Sequence, residues 1–229
     1  MSPAAEPAVE PAAPPTAREI AIRHIVLIGD GLGDLARVQQ KGPGALEGKL
    51  MPGRRDPWKL SVLVADRLVR SSPLVNFPAD ATHIVISIEG NRAIHESGLL
   101  AGKPVSMEEG LARLSYAADQ FENKVAALIH AAQATRLPTV ICSMWPPRYP
   151  DPAYQSAAVA ALGIFNSRIL HRAVEARISL VDLRRVCSEQ EDYADHIMLS
   201  RAGLQKATNV IWGALFEVSR RGPGTEVFS

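Results

Sequence analysis

Five short runs of β-branched and aliphatic residues, separated by segments of helical periodicity, constrain the fold of this chain more than any other feature. The runs are RHIVLIG (23–29), KLSVLVA (59–65), THIVISI (82–88), PTVICSM (138–144) and ISLVDL (178–183). Each is short and nearly continuous in apolar character, the pattern of a strand buried on both faces of a parallel sheet. Helix start signals stand between the later runs. Ser106 and Glu109 form an S-x-x-E capping box ahead of Leu111, Leu114, Phe121, Val125 and Leu128. Asp151-Pro152 supplies an N-cap and N1 pair for a second helix, with Leu162, Phe165 and Ile169 on one stripe. Ser200 caps a third, carrying Leu204, Ala207, Ile211 and Leu215. Because crossovers between parallel strands are right-handed, helices cover both faces, and the expectation is an α/β fold around a five-stranded parallel sheet.

The ligand crevice of such a sheet opens beyond the carboxyl ends of its strands. Here those ends are Gly29-Asp30-Gly31, Glu89-Gly90-Asn91, Ser143-Met144-Trp145 and Asp182. Composition narrows the function classes. With 25 basic against 24 acidic side chains, nothing in the charge balance calls for a nucleic-acid partner. Only two cysteines occur, Cys142 and Cys187, so no disulfide scaffold is possible and both read as reduced, buried thiols. The opening MSPAAEPAVEPAAPPTA lacks the basic and apolar regions of a signal peptide, and its spaced prolines predict a disordered tail over 1–20. A single domain is expected over 21–220, followed by a flexible C-terminus over 221–229. No apolar run approaches the ~20 residues that span a bilayer, so the chain is read as soluble, cytoplasmic and without a membrane partner.

The first run ends abruptly in HIVLIGDGLGDL (24–35), an acidic, glycine-rich turn that three chemistries use. A dinucleotide cradle needs G-x-G-x-x-G. The third glycine is misplaced here, and Asp30 and Asp34 would repel a pyrophosphate. A metal site is the second option, since IVLIGDGLGD is similar to the opening strand of alkaline phosphatases, which implies a divalent ion on Asp30. The histidines (His24, His83, His95, His130, His171 and His196) form no ligand-spaced pair, however, and a metal needs three or four converging ligands. The third option is a nucleophile elbow.

That option accounts for more of the chain. Over most of 23–218 the sequence resembles the SGNH, or GDSL, hydrolase family. VLIGDGLGD resembles its first block, where Gly-Asp-Ser provides the nucleophile. THIVISIEGNRAI resembles its third, which carries an oxyanion-hole asparagine, here Asn91. DHIMLSRAG (195–203) resembles its last block, Asp-x-x-His followed by a small polar residue and Gly. The resemblance implies a three-layer α/β/α sandwich of flavodoxin-like type and, in intact members, carboxylic-ester hydrolysis.

Departures from the family pattern fall on its chemistry. Gly31 stands at the nucleophile position and Met198 at the base position, while Arg67 stands where the second block has glycine. A serine attacks only when a base takes its proton, and a thioether cannot do so. Asn91 and Asp195 are retained. Asp30, Gly90, Arg92 and His196 are the further crevice candidates, with Arg92 beside Glu89 as an ion pair filling the site. Ser87, Cys142 and Ser143 read as small buried residues. Trp145 and Tyr149 either wall the crevice or pack against the neighbouring helix. Arg184, Arg185, Arg220 and Arg221 read as solvated charges. The preferred reading is an SGNH-type protein, catalytically impaired or inactive, with no metal or cofactor. Its crevice would take a small acyl-, acetyl- or sugar-like ligand, or the domain would serve a protein partner. The competing reading is an active esterase or deacetylase of the same fold, with His196 or an acidic residue as base and a non-standard or water nucleophile. A third is a metal-dependent phosphohydrolase using Asp30.

Overall fold

The computed structural model describes residues 21–29, 32, 59–63, 77–88 and 106–229, and elements are numbered among these. All five runs become parallel strands: β1 (His24–Ile28), β2 (Lys59–Leu63), β3 (His83–Ile86), β4 (Thr139–Cys142) and β5 (Ser179–Val181). A sixth, β6 (Val227–Phe228), pairs parallel with β5 and closes the order β2-β1-β3-β4-β5-β6. Among the described residues the sheet therefore has six strands rather than five, and the sixth lies in the stretch expected as a flexible C-terminus. Its cause is local. Residues Leu180 and Asp182 donate their amides to the carbonyls of Glu226 and Phe228, at 2.8 Å each, so the β5 edge recruits the chain end.

The three anticipated helices form at their predicted caps. Helix α1 (Met107–Ala134) begins with the Ser106 hydroxyl accepting from the Glu109 amide. Helix α2 (Pro152–Glu175) begins with Asp151 accepting from the Tyr154 amide. A short α3 (Leu183–Val186) follows β5, and α4 (Arg201–Arg221) starts where Ser200 accepts from the Gly203 amide. Leu111, expected on the buried stripe of α1, is exposed; the core-facing stripe begins at Leu114.

Strand alternation sorts the core into two halves. Val26 and Ile28, Ile84 and Ile86, Ile141 and Leu180 pack with α1 and α2 on one face. Ile25 and Leu27, Val85, Val140, Cys142 and Val181 pack with α4 on the other. The result is a three-layer α/β/α sandwich. Phe121 of α1 meets the fully buried Phe165 of α2 edge to face, with centroids 5.1 Å apart. Such a pair adds about 1 kcal/mol beyond its area. The same two helices are tied at their surface by Glu122, which faces Arg168, His171 and Arg172.

Candidate functional site

From β1 the chain steps outward to β2, then returns across β1 to β3, so the topological switch lies between β1 and β3. At that point β1 ends in Gly29, whose φ is +116°. The Gly29 amide donates to Leu63 O and the Ser87 amide to Ile28 O, each at 2.9 Å. These bonds hold the ends of β1, β2 and β3 together where the glycine-rich turn departs. Leu32, three residues further on, is buried. Asp30, Gly31, Asp34, Arg67, Glu89, Gly90, Asn91, Arg92 and His95 lie outside the described residues.

A second wall comes from the end of β4 and the 193–199 loop. Asn166, buried on α2, accepts from the Met144 amide at 2.8 Å and donates to the Met144 carbonyl at 3.0 Å, holding the chain extended past β4. The Trp145 indole donates to Ile197 O at 2.8 Å, and the Arg148 amide to His196 O at 2.7 Å. An isolated antiparallel bridge joins Tyr193 to Leu199. Burial pushes the Tyr193 phenol up to about 12, so it stays protonated, and its hydroxyl lies within 2.9 Å of both Pro146 O and Cys187 O. This loop is a fixed structure at the carboxyl end of the sheet.

No protein-family model matches the chain, and neither does any curated protein. Solved structures do. A phospholipase A1 from Streptomyces albidoflavus superposes with a TM-score of 0.58 at 14% identity, covering 85% of this chain and 99% of its own. An extracellular lipase from Streptomyces rimosus also gives 0.58 at 14%, with 84% and 99% covered. A protein from Slackia heliotrinireducens, provisionally assigned as an SGNH hydrolase, gives 0.53 at 16%, with 86% and 98% covered. The fold is that of the SGNH hydrolases. At these identities the likeness speaks to the fold alone.

Asp195, expected from the sequence as the retained acidic position, turns its carboxylate back on its own loop. Oδ1 accepts from the amides of Ile197 and Met198, both at 2.7 Å. The Met198 and Ile197 amides hold the Asp195 carboxyl below the usual carboxylate range, which weakens it as a base. Met198 lies in the same turn and brings only a thioether. His196 is exposed, and its ring stands 6.4 Å from the Tyr149 ring without a hydrogen bond among the described residues. Neither Asp195, Met198 nor His196 is set up by these contacts as a base for a serine nucleophile.

Other candidates are absorbed by structure. Ser87 is buried at the end of β3. Ser143 is buried and donates to Asp182 Oδ1 at 3.0 Å. Cys142 and Cys187 are buried free thiols, and desolvation pushes both up, Cys187 to about 12. Three of the four arginines read as solvated are exposed and also ion-paired. Arg184 grips Asp182 with both prongs at 2.7 Å, and Arg220 and Arg221 pair with Glu217. Trp145 does pack inward, against the α4 side of the core. The sequence names Ser143, Asp182 and Arg184 singly but not as one group, and it does not single out Asn166. A polar residue inside an apolar helical stripe, Asn166 beside Phe165, was the available signal.

A cavity of about 510 Å³ opens at the opposite end of the sheet, between Leu137, Pro138, Ile178, Val218 and Pro223. It is remote from the strand carboxyl ends. Among the described residues no cluster of His, Cys, Asp or Glu is arranged to hold a metal ion, and no helix is long and apolar enough to cross a membrane.

Proposed function

We propose that the crevice of this SGNH-fold protein binds a small acyl- or acetyl-type ligand without hydrolysing it by the usual serine route. The observation that carries the reading is the turn at 195–198. Asp195 spends Oδ1 on the Ile197 and Met198 amides, and the base position is a thioether. Gly31 at the nucleophile position agrees with it. A crevice without nucleophile and base loses the largest chemical contributions of the triad while its shape can still recognise an acyl group.

Hydrolysis of p-nitrophenyl acetate and butyrate by wild type, Gly31→Ser, Met198→His and the double variant tests this. Neither single change raises kcat/KM, whereas Gly31→Ser/Met198→His raises it at least 100-fold, because a repaired pair works only in a crevice that still admits the ester. Wild-type turnover that falls tenfold or more in His196→Ala would overturn the reading in favour of an active esterase with His196 as base.

A further inference from the structure

At the amino end of the sheet, far from the crevice, three side chains from three segments stand in one hydrogen-bonded line. The Ser61 hydroxyl of β2 is 2.8 Å from His24 Nε2, and His24 Nδ1 is 2.8 Å from Asp80 Oδ1. Register explains the meeting. Ser61 pairs with Val26, and His24 lies two residues before Val26, so both side chains leave the same face of adjacent strands. Asp80 reaches them from the turn that precedes β3, and Lys59 Nζ holds its other oxygen at 2.7 Å. The hydrogen bonds from Lys59 and then His24 draw the Asp80 carboxyl down to about 2, so it is ionised throughout the neutral range.

We propose that Ser61, His24 and Asp80 form a second, independent acyl-transfer site for small carboxylic esters. Each has the role its position allows. Asp80 accepts the Nδ1 proton and so fixes the tautomer that leaves Nε2 free to accept from Ser61. His24 is 5% exposed, which shields the base from water, whereas Ser61 and Asp80 are open to solvent in part. Strand β2 is the outer strand of the described sheet. Lys59 and Leu63 turn their backbone groups toward β1, through Lys59 N to Arg23 O and Leu63 O to Gly29 N. By alternation the Val62 amide points off the edge. It is the residue after the nucleophile, the position whose amide serves a developing oxyanion in nucleophile elbows.

The chemistry closes without a further reagent. Ser61 Oγ bonds to the ester carbonyl carbon while His24 Nε2 takes the hydroxyl proton. Collapse breaks the bond to the alcohol oxygen, which leaves with that proton. Water, deprotonated by His24, then releases the acid and restores Ser61. Lys59 is a positioning residue for Asp80.

A fluorophosphonate probe tests the site directly, since phosphorus bonds to an activated serine as fluoride leaves. Peptide mapping of the labelled full-length protein is expected to place the adduct on Ser61. Ser61→Ala abolishes labelling, His24→Gln slows it at least 100-fold, and Asp80→Asn, at an exposed carboxylate, slows it at least tenfold with an unchanged circular dichroism spectrum. Hydrolysis of p-nitrophenyl acetate follows the same order, and the mapped position of the adduct separates this site from the crevice. No adduct on the folded wild type, or an adduct on another serine, overturns the proposal. So does labelling of Ser61 at the same rate in His24→Gln.

Discussion

A β-carbon placed on Gly29 would stand 2.0 Å from the carbonyl oxygen of Ser87. The contact is backbone on both sides, so no rotamer can relieve it. The same residue has φ +116°, a conformation that side chains resist independently of space. Both constraints arise where the end of β1 lies against the end of β3 at the topological switch. Gly29→Ala is therefore expected to cost more than ~3 kcal/mol, or to prevent folding, as followed by urea denaturation. A Gly29→Ala protein within 1 kcal/mol of wild type would mean that the β1–β3 junction is looser than this geometry.

The wall beyond β4 depends on a single amide. Asn166 satisfies both the N–H and the C=O of Met144, in a place where neither can reach water. Asn166→Ala orphans both groups, and the expected loss is about 2–4 kcal/mol. Trp145 follows Met144 and ties down the 193–199 loop, so Trp145 fluorescence should shift to the red before global unfolding in the variant. Coincident loss of both signals in urea would show that this segment is not separately held.

Much of this architecture was legible because it is local or periodic. Each apolar run became a strand within two residues of its ends, and Ser106, Asp151 and Ser200 capped the expected helices. The misses are long-range. Val227 and Phe228 carry no periodic signal of their own; only the open edge of β5 makes them a strand. Leu111 fits the helical stripe but is exposed, one turn before the buried residues begin at Leu114. Arg184 looked like free surface charge because its partner Asp182 was read only as a strand end. For the candidate site, residue type alone singles out Asp195 and Met198. Where Asp195 points was not legible, because that depends on the 195–198 turn and on the bond from Trp145 to Ile197. The Ser61–His24–Asp80 line was invisible, since it needs the β1–β2 register.

Asp182 illustrates a buried carboxylate held by partners. Burial works against its charge, but the two-pronged Arg184 bond and the Ser143 hydroxyl outweigh it, so its pKa lies below the usual carboxylate range. A depressed carboxylate contributes stability above its unfolded value, and that contribution is lost as pH falls through the folded value. Asp182→Asn is expected to lose about 2 kcal/mol at pH 7 and to show a smaller further loss in acid than wild type. Urea curves at pH 7 and pH 3 check it. An equal acid loss in both proteins would remove Asp182 from the account.

His83 sets the pH dependence in a different window. It is fully buried at the start of β3, with Nε2 2.7 Å from Ser219 Oγ and Nδ1 2.9 Å from Thr82 Oγ1, neither of which carries charge. Burial lowers its pKa from 6.5 to about 4. Between those values the unfolded chain binds a proton that the folded chain refuses, so stability is complete above pH 6.5 and falls as the pH drops toward 4. A shift of this size corresponds to a loss on the order of 3 kcal/mol, and nothing more is lost to this group below pH 4. Asp80, with a folded value of about 2, acts only further into acid, so the two contributions separate on the pH axis. His83→Gln keeps a side chain that can hydrogen-bond to Ser219 but has no proton to gain. Its stability should therefore be nearly flat between pH 6.5 and 4, where wild type declines. An unchanged decline in His83→Gln would assign the acid sensitivity to another group.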